Sequence, residues 1–355
     1  MNDYQIGSTI GKGSFGIVYK VTHIPTSKTY ASKEIFCKKS SNDKAKQSFG
    51  REIKSYSIID NPAILKLIGY NDYNFQRKPN PTMILEYMVN GSVEKFLNKK
   101  NISNLKSKYF ILLGSALGMK YLHSRGIIHR DIKTDNILLN EILHPKICDF
   151  GCSEISDKDL TEIQMNESVG TPLYMAPEIF DGEHYSYKVD VYAFSIVAYR
   201  LITNEVPFSE FTTKYKLFKA VLNGQRPKID MIENEKIRSF LNKCWSSEPS
   251  KRPEFREIVE ELMQNYFLEY FKVDLESLYE YLKENKQIAA KYFKKAADLG
   301  NVPSMLKFGF MLWKGYGVKE NKKEARKYFD IAISRVNNGD KFEYFVMLPN
   351  NSGIL

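Results

Sequence analysis

The stretch His129-Arg130-Asp131-Ile132-Lys133-Thr134-Asp135-Asn136 sets a carboxylate, a cation and an amide within one short loop. The three groups suit three different roles. Asp131 can accept the proton of an attacking hydroxyl, Lys133 can neutralise charge on a moving phosphoryl group, and the Asn136 carbonyl oxygen can ligate Mg²⁺. Asp149-Phe150-Gly151 follows the apolar runs Ile137-Leu138-Leu139 and Lys146-Ile147-Cys148, which puts Asp149 at a strand end as a second oxygen ligand. Hard Mg²⁺ favours such donors and leaves its other positions to water and phosphate oxygens. Taken singly, these are ordinary turn and capping residues. Their joint order in one chain gives them weight.

Upstream, Gly11-Lys12-Gly13-Ser14-Phe15-Gly16 lies between two strand-like runs, where missing side chains let backbone N–H groups approach a triphosphate. In a dinucleotide-binding loop the glycines open a helix, whereas here Ile17-Val18-Tyr19-Lys20-Val21 continues as a β-type run, so a hairpin is expected. Lys33, in Tyr30-Ala31-Ser32-Lys33, falls on the next strand, and alone it reads as an edge lysine facing water. Glu52, on the helix that follows, can hold its ammonium in an ion pair, so Lys33 and Glu52 are read together.

Around these residues the pattern changes once. Short β-type runs are expected at Gln5–Ile10, Ile17–His23, Thr29–Phe36, Leu65–Tyr70 and Thr82–Tyr87, interrupted by one helix over Lys44–Ile59. After Asn90-Gly91-Ser92 the periodicity predicts helices at Val93–Asn98, Lys106–Ser124, Tyr187–Thr203, Tyr215–Leu222, Lys236–Trp245 and Phe255–Tyr266. The class is therefore α+β, a small β-rich lobe followed by a larger helical one. The poorly helical stretch Arg125–Ser186, between the predicted helices Lys106–Ser124 and Tyr187–Thr203, is where chemistry is expected.

These residues, in this order, resemble the eukaryotic protein kinase family from about Tyr4 to Tyr266. The resemblance implies a bilobal fold with ATP in the cleft. It places adenine between Ile10, Val18 and Ala31 above and Leu138 below, with backbone groups of Glu86 and Met88 at the adenine edge and Leu85 as gatekeeper. Gly11, Gly13 and Gly16 would cover the phosphates, with Asn136 and Asp149 holding Mg²⁺ or, as an alternative, Mn²⁺. Gly170-Thr171-Pro172-Leu173-Tyr174-Met175-Ala176-Pro177-Glu178 looks like the end of an activation segment. By the same resemblance Glu178 pairs with Arg252 and Asp190 braces the catalytic loop. Lys133 and Thr171 match Ser/Thr kinases. Cys244-Trp245 with Pro249, Arg252, Pro253 and Phe255 resembles the tyrosine-kinase-like group, so a Ser/Thr member of that group is expected and dual specificity stays open. Arg130 beside the catalytic Asp131 suggests regulation by phosphorylation. Ser153, Ser156, Thr161 and Ser168 are the candidates, Thr161 and Ser168 foremost, and ordinary loop hydroxyls are the alternative.

The remaining features bound the answer. With 355 residues, of which 43% are hydrophobic, the chain can bury one large domain and a small appendage. Cys37, Cys148, Cys152 and Cys244 show neither Cys-x-x-Cys spacing nor a His partner, which argues against a disulfide framework or zinc site and for a reducing compartment. Met1-Asn2-Asp3-Tyr4-Gln5 carries no secretion-signal or N-myristoylation pattern, so a cytoplasmic location is expected. Val189–Thr203, the most apolar stretch, includes Asp190 and Arg200 and is too short to span a bilayer, so no transmembrane segment is expected. The net charge of +10 is spread along the chain, so no nucleic-acid partner is expected.

Beyond Tyr266 a self-similar pattern begins. Ala289-x-Lys291-Tyr292-Phe293-x-x-Ala296 recurs as Ala325-x-Lys327-Tyr328-Phe329-x-x-Ala332, with a helix between the copies that ends in glycine at Gly315 or Gly317. This resembles Sel-one-like repeats, relatives of the tetratricopeptide family that mediate protein contacts. The expected division is a kinase domain over 4–266, a helical linker over 267–286, repeats over 287–335 and a tail over 336–355. So short an array needs cover, which the large lobe, the linker helix or self-association would supply. Two functions compete: a kinase acting on Ser/Thr hydroxyls of protein substrates, and a scaffold in which the kinase fold only binds partners. Such scaffolds typically lose the lysine, the loop aspartate or the metal aspartate, and this chain retains all three as Lys33, Asp131 and Asp149.

Overall fold

Runs of β-branched and aromatic residues at the start of the chain form an antiparallel sheet of β1 (Tyr4–Lys12), β2 (Gly16–His23), β3 (Lys28–Ile35), β4 (Leu67–Asn71) and β5 (Thr82–Glu86), in the order β1-β2-β3-β5-β4. The computed structural model describes residues 3–13, 16–37, 44–99, 104–155, 163–164, 171–181, 184–282, 286–298 and 300–336. Two units separate, Met1–Phe271 and Lys272–Leu355. Between β3 and β4, α1 (Lys44–Ile58) buries Ala45, Phe49, Glu52 and Tyr56, which recur at helical spacing on one face. Glu52 is thus carried inward by the apolar residues around it. In the β1–β2 hairpin the three glycines differ. A Cβ on Gly16 would lie 2.2 Å from the Glu34 carbonyl of β3, so this glycine is demanded by strand approach, whereas the space around Gly13 is open.

The helical lobe begins at α2 (Val93–Leu97), capped by the Ser92 hydroxyl, and α3 (Leu105–Ser124), capped by the Asn104 side chain. Short strands follow: β6 (Ile127–Ile128), β7 (Ile137–Leu139), β8 (Pro145–Ile147), β9 (Glu154–Ile155) and β10 (Ile163–Gln164). Then come α4 (Pro177–Asp181), β11 (His184–Tyr185), α5 (Lys188–Thr203), α6 (Lys214–Leu222), α7 (Glu235–Cys244), α8 (Phe255–Leu262) and α9 (Asn265–Phe271). α3 and α5 form the centre, with Ile111, Leu112, Ala116, Met119, Val191, Phe194 and Val197 fully buried. One expected helix, Phe255–Tyr266, is divided into α8 and α9. A straight continuation of the buried stripe Phe255, Ile258, Val259, Leu262 would next reach Tyr266 and Glu269. The break at Met263-Gln264 instead buries Phe267, Leu268 and Phe271, with Gln264 O accepting from Phe267 N at 3.0 Å to start the new helix.

The second unit consists of α10 (Leu275–Leu282), α11 (Lys286–Asp298), α12 (Val302–Lys314) and α13 (Lys322–Val336). Its repeat is visible in burial: Ala289 and Phe293 on α11 correspond to Ala325 and Phe329 on α13, and all four are buried. α12 lies against both, presenting Met305, Phe308 and Leu312, and ends at Gly315 in the left-handed region with φ of 65°. α10 covers one end of this stack. The Lys307 ammonium lies 4.3 Å from the Tyr279 ring centroid and donates to Glu276 Oε2 at 2.6 Å, while Tyr279 and Phe293 pack at 5.6 Å. α10 therefore supplies part of the cover that a short array needs. Among the described residues no helix is long and apolar enough to cross a membrane.

Candidate active site

Pairing of β7 with β8 assembles the first half of the site. Ile137 stands opposite Ile147, and Cys148 N donates to Asn136 O at 2.9 Å, so the chain brings Asn136 beside the residue preceding Asp149. Lys33, projecting from β3, donates to Glu52 Oε1 and Oε2 at 3.1 and 2.8 Å and to Asp149 Oδ1 at 2.8 Å. Burial pushes the Glu52 carboxyl up to about 7 even against the Lys33 ammonium. Asp149 moves the other way, held below the ordinary carboxylate range by Lys33. Burial also opposes the Lys33 charge, but Asp149 and Glu52 outweigh it and hold the ammonium above its usual value. Asp149 occupies the left-handed region with φ of 69°, a conformation Asp tolerates better than most side chains. Phe150 next to it is fully buried, its ring 5.1 Å from those of Tyr56 and His129.

The loop that carries Asp131 is held from beneath by Asp190 on α5. Its Oδ2 accepts from His129 N and His123 Nε2, both at 2.9 Å, and its Oδ1 from Arg130 N at 2.8 Å. Burial would raise this carboxyl, but the bond from His123 and the charges and amide facing it keep it below its ordinary value. Above this brace Asp131 is surrounded by donors. Lys133 Nζ reaches its Oδ2 at 2.6 Å, Asn136 Nδ2 reaches the same oxygen at 2.9 Å, and Thr171 Oγ1 donates to Oδ1 at 2.9 Å. Lys133 also donates to Thr171 Oγ1 at 2.8 Å, closing a ring of three side chains. With Asn136 Nδ2 turned toward Asp131, the amide carbonyl faces away from that carboxylate.

The other sequence-named residues distribute as follows. Ile10 and Gly11 lie on β1, Gly16 and Val18 on β2, Ala31 on β3 and Leu138 on β7. Gly13 sits in the hairpin, its N–H donating to Gly16 O at 2.9 Å. The segment after β5 is tied to β7 by Leu139 N donating to Gly91 O at 2.8 Å, so Met88 and Leu138 belong to adjoining chain segments. Glu86 N donates to Lys66 O and Met88 O accepts from Gly91 N, each at 3.0 Å. Glu178 receives Arg252 through both guanidinium nitrogens at 2.6 and 2.8 Å. Ser153 is buried, its hydroxyl bonded to Phe150 O and Ser55 Oγ, each at 2.7 Å. Ser156, Thr161 and Ser168 lie outside the described residues. Sequence reading missed three contributors. His123 shares Asp190, while Glu154 and Tyr185 meet Arg130, and nothing in their local spacing signals either contact.

A family model of the protein kinase domain matches residues 4–267. The chain belongs to the protein kinase family. Sel1 repeat models match residues 277–301 and 302–336, after the kinase domain. Serine/threonine-protein kinase STY17 of Arabidopsis thaliana is 32% identical over 269 residues, covering 74% of this chain and 45% of the relative. Serine/threonine/tyrosine-protein kinase HT1 of the same plant is 34% identical over 248 residues, 68% of this chain and 58% of the relative. Mitogen-activated protein kinase kinase kinase 7 of Bos taurus is 30% identical over 282 residues, 76% of this chain and 44% of the relative. The chain thus spans roughly half the length of these curated relatives.

Proposed function

We propose that this kinase transfers the γ-phosphoryl group of ATP to Ser or Thr hydroxyls of protein substrates. The observation that carries the reading is the Asp131–Lys133–Thr171 ring beside Asn136, with Lys33 and Glu52 already paired and turned to Asp149. In this reading Asp131 positions the acceptor hydroxyl and takes its proton, and Lys133 offsets charge on the transferring group. Lys33 holds the α- and β-phosphates while Glu52 keeps its ammonium in place. The adenine edge meets Glu86 O and Met88 N, the backbone groups not engaged by Lys66 and Gly91, with Ile10, Val18, Ala31 and Leu138 around the ring and Gly11, Gly13 and Gly16 over the phosphates.

The donor set fits Mg²⁺. Lys33 faces two carboxylates, Glu52 and Asp149, a negative setting that a divalent cation suits, and the Asp149 carboxylate with the Asn136 carbonyl are hard oxygen donors. Among the described residues no cluster of three His, Cys, Asp or Glu forms a closed cage, which suits a metal that keeps waters and arrives with phosphates. Bound there, Mg²⁺ would neutralise charge on the phosphate oxygens, and Mn²⁺ offers the same coordination.

Substrate class follows from Thr171, which bridges the base and the lysine, and the names of STY17 and mitogen-activated protein kinase kinase kinase 7 accord with it or with a signalling role. The name of HT1 keeps tyrosine open as a second acceptor. The Sel1 segment is assigned to protein contacts or self-association, and a cytoplasmic location rests on cysteine usage. For domain limits we retain 4–266, 267–286, 287–335 and 336–355, while the packing of α10 on the repeat helices favours adding the second half of the linker to the repeat unit. Incubating the purified chain with radiolabelled ATP and mixed protein substrates, then identifying the labelled amino acids, tests the class. Phosphoserine and phosphothreonine are expected; label confined to phosphotyrosine would overturn it.

A further inference from the structure

The Arg130 side chain already has an anion. Its backbone is held at φ of 64° with N–H on Asp190, which turns the guanidinium toward β9 and β11. There Nε donates to Cys152 O at 2.5 Å, and Nη1 donates to Glu154 Oε2 at 2.7 Å and to the Tyr185 hydroxyl. Tyr185 in turn donates to the same Glu154 oxygen at 2.8 Å, so cation, carboxylate and phenol close a ring. The guanidinium also stands 5.9 Å from the Tyr185 ring centroid.

Three features separate this ring from an ordinary surface ion pair, which is worth little. Tyr185 is buried, at 3% exposure, and Arg130 is largely so. The partners come from three places in the chain: the catalytic loop, β9 paired with β6 through Ile128 and Glu154, and β11 paired with β10 through Tyr185 and Ile163. Removing the carboxylate would leave a mostly buried guanidinium without its counter-charge. A phosphate arriving at Arg130 would also face Glu154, and like charges at that separation repel.

We propose that Glu154, acting through Arg130 and Tyr185, is a positioning residue that supplies from within the chain the negative charge that locks the catalytic loop to β9 and β11. Turnover then does not require a phosphate on Thr161 or Ser168. The proposal rests on the kinase reading of the site, since its consequence is read at Asp131, one residue from Arg130.

The test compares the full chain as purified and after exhaustive phosphatase treatment, in wild type, Glu154→Gln, Glu154→Asp and Tyr185→Phe. Measured for each are kcat, KM for ATP, ATP affinity by calorimetry, and amide exchange at Glu154–Ile155 and His184–Tyr185. Wild type should lose less than threefold in kcat on dephosphorylation. Dephosphorylated Glu154→Gln should fall tenfold or more in kcat with ATP affinity within twofold, Tyr185→Phe should fall less, and Glu154→Asp should recover at least half of the loss. A wild type that drops threefold or more without phosphate, or a Glu154→Gln protein that keeps the wild-type rate, overturns the proposal. If wild type binds ATP but transfers nothing, the kinase reading alone fails. Exchange then decides: tenfold faster exchange at those amides in Glu154→Gln supports the lock, and unchanged exchange removes it.

Discussion

The cleft and the repeat tail are built on opposite terms. In the cleft, Lys33 reaches Asp149 across 116 positions of sequence and Thr171 reaches Asp131 across 40, and the groups that meet are charged or polar. In the tail, Phe293, Phe308 and Phe329 are buried on successive helices, and polar links such as Tyr328 to Asp298, 2.6 Å apart, join neighbouring repeats. The cleft keeps two carboxylates about one ammonium and places Arg130 and Asp149 at positive φ, features that cost stability and serve chemistry. The described residues of the tail are held chiefly by buried apolar side chains with polar links between helices. Variants in the first should therefore alter turnover more than melting, and variants in the second should do the reverse.

The largest effect belongs to the tail. Phe308→Ala, at a side chain 2% exposed, should cost about 3–5 kcal/mol of repeat stability by combined transfer and cavity terms. Calorimetry should show a lowered transition for the second unit with kcat within twofold of wild type; an equal loss of turnover would erase the contrast. Next, Asp149→Asn keeps a residue that accepts the left-handed backbone but removes the carboxylate. Turnover should drop by about 10²–10³-fold, the size of a lost transition-state electrostatic contact, while the melting temperature stays close to wild type.

The contrast sharpens with pH. The Glu52 carboxyl, pushed up to about 7, must ionise to hold Lys33, so kcat/KM for ATP should rise about tenfold between pH 6 and 8. Stability should move oppositely. An acid whose folded pKa exceeds its unfolded value near about 4.3 binds the proton better in the native state, so its contribution declines as pH rises from there through about 7. Glu52→Gln should flatten both limbs, and a wild-type rate profile that is flat from pH 6 to 8 would remove the assignment. The smallest effect is Asn301→Ala. Its side chain caps α12 by accepting from Ser304 N at 2.9 Å, and its loss should cost about 1 kcal/mol in the tail transition, with no change in turnover.

What could be read from sequence follows the same division. Lys33, Glu52, Asp131, Asn136 and Asp149 stood out by their joint order along the chain, with Lys33 on a strand, Glu52 on the helix after it, Asp131 and Asn136 in one short loop and Asp149 at a strand end. The β-rich and helical lobes were legible from periodicity, and the tail from its repeated Ala and Phe. Contacts set by tertiary pairing were not. Glu154 carries no local mark, since its partner depends on β9 lying beside β6, and Tyr185 looks like any aromatic before a helix. Thr171 was legible as a substrate-class marker, but its bonds to both Asp131 and Lys133, 40 and 38 positions away in sequence, are set by tertiary placement. The division of α8 from α9 was hidden because a shift of helix phase leaves no breaker residue at Met263-Gln264.

One measurement bears most directly on Asp131 as the base of a phosphoryl transfer: single-turnover transfer from radiolabelled Mg-ATP to a Ser/Thr peptide, wild type beside Asp131→Asn, with nucleotide affinity determined on the same samples. Both proteins should bind nucleotide alike, and the variant should transfer about 10²–10⁴-fold more slowly, the range for a lost general base. Equal rates in the two proteins, or binding without transfer in wild type, would contradict it.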